Sequence, residues 1–535
     1  MTSSQRYSNT LILFELDTKL GILYTKFMFA KVYSGAVIGL DGVLVEVETD
    51  ILSGLPGFNI VGLADRAVEE SRERVRSALK NIGADLPAKR ITVNLAPGDL
   101  PKEGSAFDLP IAVSILLASE QLKTDVSKSM FLGELSLDGA LRSTNGVLPV
   151  VLLAKEKKME QVFVPVDNIL EAAVVAGIKI YPAKNLKEIF LHLTGEKPLA
   201  VYKARPYEKY LKEEEHEFDM KDVKGQEFVK RAIEVAVAGG HNILLKGPPG
   251  SGKTLIAKTI PSILPSLTFD EAIEVTKLYS ISGFLAKNSL VVTRPFRNPH
   301  HTTSHIGLIG GSAIPKPGEV SLAHRGVLFL DEFPEFPRHV LEALRQPLED
   351  GYVVVSRAKQ RITFPSRFML VAALNPCPCG FYGDPQNTCT CSSSQILKYQ
   401  KRVSGPMLDR IDIHVDVPAV KASKIVADEE SAAETSKTIR KRVVAARGKQ
   451  NKRFKGKKII TNSEMSNRLI KELSIIDEEA KEILKQALVR LSLSARGYHK
   501  VIKVAQTIAD LKGANKIFRE HILEALQYRP KLDNS

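Results

Sequence analysis

A glycine-rich segment near the middle of the chain has the spacing of a phosphate-binding loop. The apolar residues 242–245 before it predict a buried strand, and the run that begins at Leu255 predicts a helix. Between a strand and a helix, glycines let backbone amides and the helix N-terminus point at anionic oxygens. The lysine of such a loop reaches the β- and γ-phosphates, and the next hydroxyl binds Mg²⁺. The sequence therefore predicts an ATP–Mg²⁺ site made of Gly247, Pro248, Pro249, Gly250, Ser251, Gly252, Lys253 and Thr254.

Two adjacent carboxylates follow a second apolar stretch, residues 327–330. A buried strand that ends in acids places Asp331 beside the Mg²⁺ and Glu332 next to the attacking water. The pattern is common by itself, and it gains meaning because it lies downstream of the phosphate-binding loop. A further buried strand, residues 369–374, ends in the amide of Asn375. These features predict nucleotide hydrolysis, with Glu332 as the base that activates water.

All the cysteines of the chain fall into two close pairs, Cys377 with Cys379 and Cys389 with Cys391. Two such pairs joined by a short loop can present four thiolates tetrahedrally to Zn²⁺. The C-x-C spacing is tighter than the usual C-x₂-C, so reduced cysteines without a ligand, disulfides and an iron–sulfur cluster stay open as alternatives. With four protein ligands a zinc ion keeps no water site, so it would brace the loop after Asn375 and take no part in catalysis.

Length and composition limit the class of protein. A chain of 535 residues predicts about three domains, and it contains no run of apolar residues long enough to span a membrane. The apolar residues 11–14 lack a basic flank and are followed by acids, so we expect no secretion signal and a cytoplasmic location. The net charge of +14 fits an anionic partner without naming one. Cysteines confined to one cluster suit a reducing compartment.

The elements that must position these groups predict a multidomain α/β protein. A period-two alternation after Met28, with a turn at Asp41-Gly42, and intervening helical patterns predict an α+β unit. The loop and the acids lie in an α/β core, and amphipathic helices follow it. The predicted segments are an extension that is disordered or starts too early (1–27), the α+β domain (28–200), a charged linker (201–222), the ATPase core with the cysteine loop 377–391 (223–418) and a helical lid (419–535).

The core segment resembles AAA+ ATPases. In that superfamily the place of Asn375 is held by sensor 1, which helps to orient the water. Residues 408–412 resemble the segment that carries the arginine finger, here Arg410. A finger is supplied by a neighbouring subunit, so this resemblance implies a homo-oligomeric ring, expected to be a hexamer. The alternative for Arg410 is a surface ion pair with Asp409 or Asp412.

Three further segments, residues 294–302, 317–324 and 494–499, resemble the YifB/ComM family of magnesium-chelatase-like AAA+ proteins. The resemblance runs from about Met28 to Arg529. It implies a Lon-protease-like (ribosomal S5 domain 2-like) α+β N-terminal domain, an AAA+ P-loop core and a helical C-terminal lid. Arg496 would be sensor 2, reaching the γ-phosphate from the lid. The family also implies a helicase-like role in branch migration during recombination of incoming DNA.

The loop of residues 101–106, with residues 133–135, resembles the Lon protease domain, which uses a Ser–Lys dyad. Ser105 falls where the serine would be, but Leu148 takes the place of the lysine, and Lys155 is the nearest substitute. A serine without its base is a weak nucleophile. The domain is therefore predicted to be a structural or substrate-guiding module, with an ATP-dependent protease as the least favoured reading.

Two basic features suggest DNA as the partner, branched or single-stranded. Residues 352–364 predict two strands around a basic tip formed by Arg357, Lys359 and Arg361. This resembles the hairpin before sensor 1, which faces the pore in the clade's DNA motors; the alternative is a solvated hairpin. Residues 440–458 hold ten basic and no acidic side chains, which suits nucleic-acid phosphate or a solvated surface equally. A chelatase-type ATPase that remodels a protein partner remains the second interpretation.

Overall fold

The computed structural model describes residues 28–204, 206–211, 216–285, 290–311, 315–357, 360–385, 387–419, 434–491 and 493–530. The predicted extension 1–27 and Lys359 of the basic tip lie outside the described residues. Within these ranges, no helix is both long and apolar enough to cross a bilayer.

The N-terminal part is built on a seven-stranded mixed sheet with the strand order β3-β4-β2-β1-β5-β8-β9. Alternate residues of the first two strands, such as Val32, Val45 and Val47, are fully buried, as period-two patterning predicts. These strands pair out to Ile38 and Asp41, so the turn is Gly39-Leu40, two residues earlier than the predicted Asp41-Gly42. The strands, with the small β6–β7 hairpin, are β1 Met28–Ile38, β2 Asp41–Leu52, β3 Gly57–Val61, β4 Arg90–Ala96, β5 Ser129–Phe131, β6 Glu134–Leu135, β7 Leu141–Arg142, β8 Gln161–Pro165 and β9 Lys179–Ala183.

Helices cover this sheet with apolar side chains. A helical segment that begins at Arg66 is interrupted at Glu70, which is the C-cap of one helix and the N-cap of the next. The helices are α1 Arg66–Glu69, α2 Ser71–Asn81, α3 Asp108–Ala118, α4 Val147–Glu156, α5 Ile169–Ala172 and α6 Leu186–Leu193.

The central part contains a five-stranded, all-parallel sheet in the order β11-β14-β17-β10-β18. Its strands are short apolar runs with both faces covered, as expected for a parallel sheet. The strands, with two hairpins, are β10 Ile243–Lys246, β11 Phe296–Arg297, β12 Gly310–Gly311, β13 Lys316–Pro317, β14 Val327–Leu330, β15 Tyr352–Arg357, β16 Gln360–Pro365, β17 Met369–Leu374 and β18 Ile413–Asp416. The helices are α7 Glu227–Gly239, α8 Lys253–Ile263, α9 Phe269–Ser282, α10 His305–Ile309, α11 Glu319–Leu322, α12 Arg338–Ala343, α13 Arg345–Asp350, α14 Ser393–Gln400 and α15 Gly405–Leu408.

The C-terminal part is helical and shares a continuous apolar core with one face of the parallel sheet. Its first helix packs against α7 and α8, and its Gln450 donates a hydrogen bond to the carbonyl oxygen of Ala238 at 2.9 Å. The helices are α16 Ser436–Arg453, α17 Asn467–Leu473, α18 Glu478–Arg490, α19 Ala495–Leu511 and α20 Arg519–Gln527.

Much of the basic segment 440–458 is tied to the protein itself. Arg442 pairs with Glu234 at 2.5 Å, Arg453 pairs with Asp510 at 2.5 Å, and Arg447 donates to the carbonyl oxygen of Val237 at 2.9 Å. The sequence could not show this, because these partners lie far from the segment along the chain. The basic side chains of this segment that stay exposed are Lys441, Lys452, Lys455 and Lys458.

The N-terminal part is docked on the central part through α9. The carboxylate of Glu171 accepts a hydrogen bond from the Ser280 hydroxyl at 2.5 Å and one from the Leu148 amide at 2.8 Å. Burial raises the pKa of Glu171, and these donors oppose that shift. A buried hydrogen-bonded network of this kind fixes orientation, because separating its partners leaves polar groups unsatisfied.

Candidate functional site

The glycine-rich loop leaves the carboxyl end of β10 and enters α8 at Lys253. A Cβ added to Gly247 would lie 2.2 Å from the carbonyl oxygen of Val417, so only glycine fits this close approach to the strand next to it. The loop therefore turns tightly at the sheet edge, and the amides that follow it surround the start of α8. This is the strand–loop–helix context that phosphate binding requires.

Lys253 is held inside the loop. Its ammonium donates to the carbonyl oxygens of Gly247 at 2.9 Å and Pro248 at 2.8 Å, and to Oδ1 of Asn375 at 3.1 Å. Burial lowers the pKa of Lys253, and the negative charge of Asp331 opposes that shift. A buried ammonium that is satisfied only by neutral oxygens is well suited to pair with an anion such as a phosphate.

The two acids follow β14 at the same edge of the sheet. The Thr254 hydroxyl donates to Oδ2 of Asp331 at 2.7 Å, which brings together the two side chains predicted to hold Mg²⁺. Oxygen ligands of this kind are the ones Mg²⁺ prefers. Glu332 has a left-handed backbone with a φ of 51°, and its carboxylate lies 3.1 Å from Nδ1 of His301. The sequence analysis did not single out His301 as a site residue.

Arg410 lies at the opposite edge of the sheet, where the amino ends of the parallel strands meet. It comes two residues before Asp412, which precedes β18, whereas the loop and the acids follow the strands. Strands of four residues, such as β10, separate the two edges by about 13 Å at ~3.3 Å per residue. Arg410 is 8% exposed and pairs with Glu349 at 2.6 Å, so neither of the partners predicted for a surface ion pair, Asp409 or Asp412, is the one it takes.

Arg496 reaches the same glutamate, with its guanidinium 3.7 Å from the Glu349 carboxylate. The sequence analysis expected Arg496 to reach a γ-phosphate from the lid. The structure places it beside Arg410, away from the loop of its own chain. The two arginines line a cavity of about 570 Å³ together with residues that immediately precede strands, among them Asn242 and Gly326.

This cavity is lined by more basic than acidic side chains, and two of its arginines each have a nitrogen without a hydrogen-bond partner among the described residues. Eight arginines and lysines line it against five carboxylates. The Nε atoms of Arg410 and Arg447 have no hydrogen-bond partner among the described residues, and burial lowers the pKa of Arg447 to about 9. Burial opposes the charge of Asp412, yet Lys500 and His241 beside it hold the pKa of that carboxyl well below its usual range. The cavity therefore has positive charge to offer to an external anion.

The four cysteines converge on one point. Their sulfur atoms all lie within 4.8 Å of one another, with Cys377 at 3.3 Å from Cys379 and at 3.7 Å from Cys389. A tetrahedral Zn–S distance of about 2.3 Å corresponds to sulfur–sulfur separations of about 3.8 Å. The amide of Tyr382 also donates to the sulfur of Cys377 at 3.3 Å, as amides do to thiolates. The donor set thus fits a four-coordinate soft cation.

The cysteine loop contacts the phosphate-binding loop. A Cβ added to Gly380 would lie 2.4 Å from Cδ of Pro249, so the two loops touch with no side chain between them. The cysteine loop also begins directly after Asn375, which binds Lys253. The cluster is therefore placed to support the phosphate-binding loop from two sides.

Ser105 has a carboxylate for a neighbour and no lysine base. Its hydroxyl donates to Oε2 of Glu134. Leu148 is fully buried in α4, and Lys155 is exposed near the backbone of Gly177. The buried Lys102 donates its ammonium proton to the carbonyl oxygen of Pro97. The described residues thus contain no Ser–Lys dyad at this position.

The predicted hairpin is present as β15 and β16, with Arg357 paired to Gln360 next to the tip. Its body belongs to an apolar cluster through Val353 and Phe364, and Arg361 is exposed. Leu40, in the turn of the N-terminal part, packs against the same cluster. The hairpin leads directly into β17 and from there to Asn375.

Three family models match the chain. The model described as magnesium chelatase, subunit ChlI, matches residues 219–425. The model described as subunit ChlI of Mg-chelatase matches residues 47–168, and the model of the ChlI C-terminal part matches residues 433–529.

Known proteins are similar over nearly the whole chain. The competence protein ComM of Haemophilus influenzae is 44% identical over 506 residues, which cover 94% of this chain and 97% of that protein. The uncharacterized protein YifB of Salmonella typhimurium is 42% identical over 505 residues, with 94% and 97% covered. Lon protease 2 of Bacillus subtilis is 26% identical over 168 residues, 28% of this chain and 30% of that protein.

Proposed function

This chain belongs to the YifB/ComM family of magnesium-chelatase-like AAA+ ATPases, and from that membership we propose that it is a ring motor that uses ATP hydrolysis to move DNA. The phosphate-binding loop takes ATP, Thr254 and Asp331 hold Mg²⁺, and Asn375 and Glu332 position and activate the water. The proposed domains are the Lon-like domain (28–200), the ATPase core (223–418) and the helical lid (419–535), with a linker at 201–222. The similarity to a competence protein supports DNA as the substrate, with branch migration during recombination as the activity.

The ring is proposed because the phosphate-binding loop lies at one edge of the parallel sheet, where the strands end, and the two arginines lie at the other, where the strands begin. Arg410 and Arg496 cannot reach the nucleotide of their own chain, because the length of the sheet separates them from the loop. In a ring, head-to-tail contacts bring the edge of one subunit that carries the two arginines against the phosphate-binding loop of the next subunit. Both arginines then act on the neighbour's γ-phosphate, and the basic cavity receives it. Glu349 holds the two guanidinium groups together until that contact forms.

The hairpin supports DNA as the substrate of the ring. Repetition around an axis brings several copies of its basic tip together, which creates a channel for phosphates. Because β17 joins the hairpin to Asn375, and Asn375 accepts a hydrogen bond from Lys253, a change at the nucleotide has a short route to the hairpin. Contacts of lysine and arginine with phosphate give little base specificity.

The test of this function is DNA-stimulated turnover in a variant that lacks the tip charges. Replacing Arg357, Lys359 and Arg361 with alanine is expected to abolish stimulation of the ATPase and unwinding of branched DNA. Basal hydrolysis should stay near the parent value, because none of these three residues belongs to the proposed ATP site. For the parent, log affinity should fall with log salt with a slope of about −0.9 per phosphate contact on duplex DNA.

A matched control removes the same charge elsewhere. Replacing Lys441, Lys452 and Lys455, three exposed lysines of the lid, is expected to weaken initial binding and flatten the salt slope while stimulated turnover persists at saturating DNA. If the tip variant still moves branched DNA at the parent rate, the hairpin is a surface loop. If no DNA stimulates the parent, remodelling of a protein partner, as in a chelatase-type ATPase, replaces the DNA proposal.

We also propose that Cys377, Cys379, Cys389 and Cys391 hold a structural zinc ion. The convergence of four sulfur atoms supports it, and zinc would supply a cross-link of the loop without catalysis. Through the contact of Gly380 with Pro249, the cross-linked loop keeps the phosphate-binding loop in shape. Loss of the metal should therefore weaken nucleotide binding.

Purified protein is expected to contain about one zinc per chain. Cys389→Ser should lose the metal and weaken nucleotide binding, because the loop behind Pro249 is released. Thr390→Ala, in the same loop but without a metal-ligating group, is the control and should keep both properties. Elemental analysis for zinc and iron and a nucleotide titration on the same preparations measure this. Parent-like nucleotide affinity in a metal-free Cys389→Ser protein would contradict the coupling, and parent protein purified without metal would remove the site.

The N-terminal domain is proposed to be a Lon-like structural module without proteolytic activity. The pairing of Ser105 with Glu134, and the buried Leu148 where a lysine would be needed, support this reading. Its docking on α9 through Glu171 suits a rigid part of the ring.

A further inference from the structure

The segment that carries Arg410 is held by side chains from distant parts of the chain. The Lys500 ammonium donates hydrogen bonds to the carbonyl oxygen of Asp409 and, at 3.0 Å, to that of Ile411. The side-chain amide of Asn242 donates to the carbonyl oxygen of Arg410 itself at 3.0 Å. Three consecutive carbonyl groups, centred on the proposed arginine finger, are therefore each fixed by a side chain.

These donors replace the regular backbone pairing that the segment lacks. Helix α15 ends at Leu408 and strand β18 begins at Ile413, so the carbonyl groups between them belong to neither a helix nor a sheet. Backbone carbonyl groups of this kind need other partners when they are shielded from water. An arginine side chain is long, and a small rotation of its backbone moves the guanidinium a large distance. The position of the Arg410 guanidinium therefore depends on the donors that hold its backbone.

Lys500 is committed to these contacts. Its ammonium also lies 3.3 Å from Oδ1 of Asp412, and the side chains of Lys500 and Asp412 are 15% and 11% exposed. Burial lowers the pKa of Lys500, and the charge of Asp412 opposes that shift. An ammonium has three N–H groups, and the two carbonyl oxygens and this carboxylate offer it three acceptors. Lys500 therefore acts through the protein and not on an external phosphate.

Lys500 belongs to the lid, in the same helix as Arg496. It lies four residues after Arg496 in α19, so the two side chains share one face of that helix. Thr507 lies on the same face, and its hydroxyl oxygen is 2.8 Å from Nε2 of His241, which precedes strand β10. One lid helix thus carries Arg496 and, through Lys500, holds the segment of the proposed finger.

We propose that Lys500 is a positioning residue for Arg410, through which the lid of one subunit aims the arginine finger offered to the next subunit. This inference rests on the proposed role of Arg410 in the ring. A guanidinium stabilises the transferred phosphoryl group only when it is correctly placed, and a misplacement of about 1 Å can cost about 10²-fold in rate. The contacts of Lys500 lie at the edge of the sheet opposite the phosphate-binding loop, so its loss should affect hydrolysis and not nucleotide binding.

Lys500→Met removes the ammonium and keeps an apolar stem of similar length. It is expected to lower kcat in the absence of DNA about 10- to 100-fold, with little change in affinity for a non-hydrolysable nucleotide. Lys449→Met is the matched control and should keep the parent kcat. The Lys449 ammonium also donates to two carbonyl oxygens, those of Gly513 and Ala514, but both belong to the lid. A parent-like kcat in Lys500→Met would overturn the proposal.

Mixed rings distinguish positioning of the finger from an effect on the chain's own nucleotide or on stability. Lys500→Met and Lys253→Ala subunits should regain activity together, because the first supplies an intact loop and the second a correctly held finger. Lys500→Met and Arg410→Ala subunits should gain nothing over the two proteins alone, because neither supplies a correctly held finger. Recovery in the second mixture would mean that Lys500 serves the nucleotide of its own chain, which contradicts the proposal.

The mixture of Arg410→Ala with Lys253→Ala separates this inference from the proposed function. If that mixture stays inactive, the ring role of Arg410 fails, and with it the premise. If it recovers while Lys500→Met with Lys253→Ala does not, only the role of Lys500 fails. In the Arg410→Ala background, loss of Lys500 should add nothing, since the lysine acts through that arginine. If Lys500→Met does not fold, Lys500→Gln, which keeps two N–H donors without the charge, takes its place in the same mixtures with the same expected outcomes.

Discussion

Replacing Arg410 with alanine is expected to lower ATP turnover about 10³- to 10⁵-fold, the range found for arginine fingers. In the proposed role the guanidinium stabilises charge that develops on the transferred phosphoryl group, so its loss should act on the transition state and leave ground-state binding nearly intact. Steady-state turnover and equilibrium binding of a non-hydrolysable nucleotide on the same variant measure the two effects. Arg345→Ala is the control, because Arg345 pairs with Glu342 in a short-range contact on the protein surface.

Mixing variants shows whether Arg410 acts within its own chain or on a neighbour. In a mixed ring of Arg410→Ala and Lys253→Ala subunits, some interfaces combine an intact loop from the first with an intact arginine from the second. Activity should therefore reappear when two inactive proteins are combined. An arginine that works on its own chain's nucleotide gives inactive mixtures at every ratio. That result would contradict the ring as proposed.

Glu332→Gln is expected to bind ATP like the parent and to hydrolyse it about 10²- to 10⁴-fold more slowly, the usual contribution of a general base. The amide keeps the shape of the side chain but cannot accept the proton. Lys253→Ala should instead lose nucleotide binding, because the loop then lacks the buried ammonium that we propose pairs with the phosphates. Nucleotide titration followed by single-turnover hydrolysis distinguishes the two variants.

The pair of variants also tests the assignment of roles. Turnover at the parent rate in Glu332→Gln would remove Glu332 as the base. Tight nucleotide binding by Lys253→Ala would show that the loop amides suffice without the ammonium. Asp331→Asn is a useful comparison. It removes the negative charge beside Thr254, so the Mg²⁺ concentration needed for turnover should rise.

The order of the five parallel strands connects these predictions. The loop, the acids and Asn375 come from three adjacent strands, β10, β14 and β17, so one edge of the sheet collects the chemistry. The other edge collects Arg410 and Arg496 with the basic cavity. In the proposed ring, the arginines at one edge of a subunit would meet the phosphate-binding loop at the other edge of its neighbour.

The sequence by itself determined the parts whose chemistry depends on neighbours along the chain. The phosphate-binding loop, the acid pair after an apolar strand and the two cysteine pairs are each contiguous, so spacing alone predicts which groups meet. The family resemblance was confirmed by similarity over nearly the whole chain. Period-two patterning also located the first two strands of the N-terminal sheet, although the turn at Asp41-Gly42 was misplaced.

Only the tertiary structure decided which distant residues meet, because such contacts depend on strand order and packing. It gave Arg410 the partner Glu349, placed Arg496 beside it, and tied Arg442 and Arg453 of the basic segment to internal carboxylates. It set Gly380 against Pro249 and His301 against Glu332. Spacing along a chain fixes local geometry, whereas the burial and pairing of a charge are fixed by whichever elements the fold brings against it.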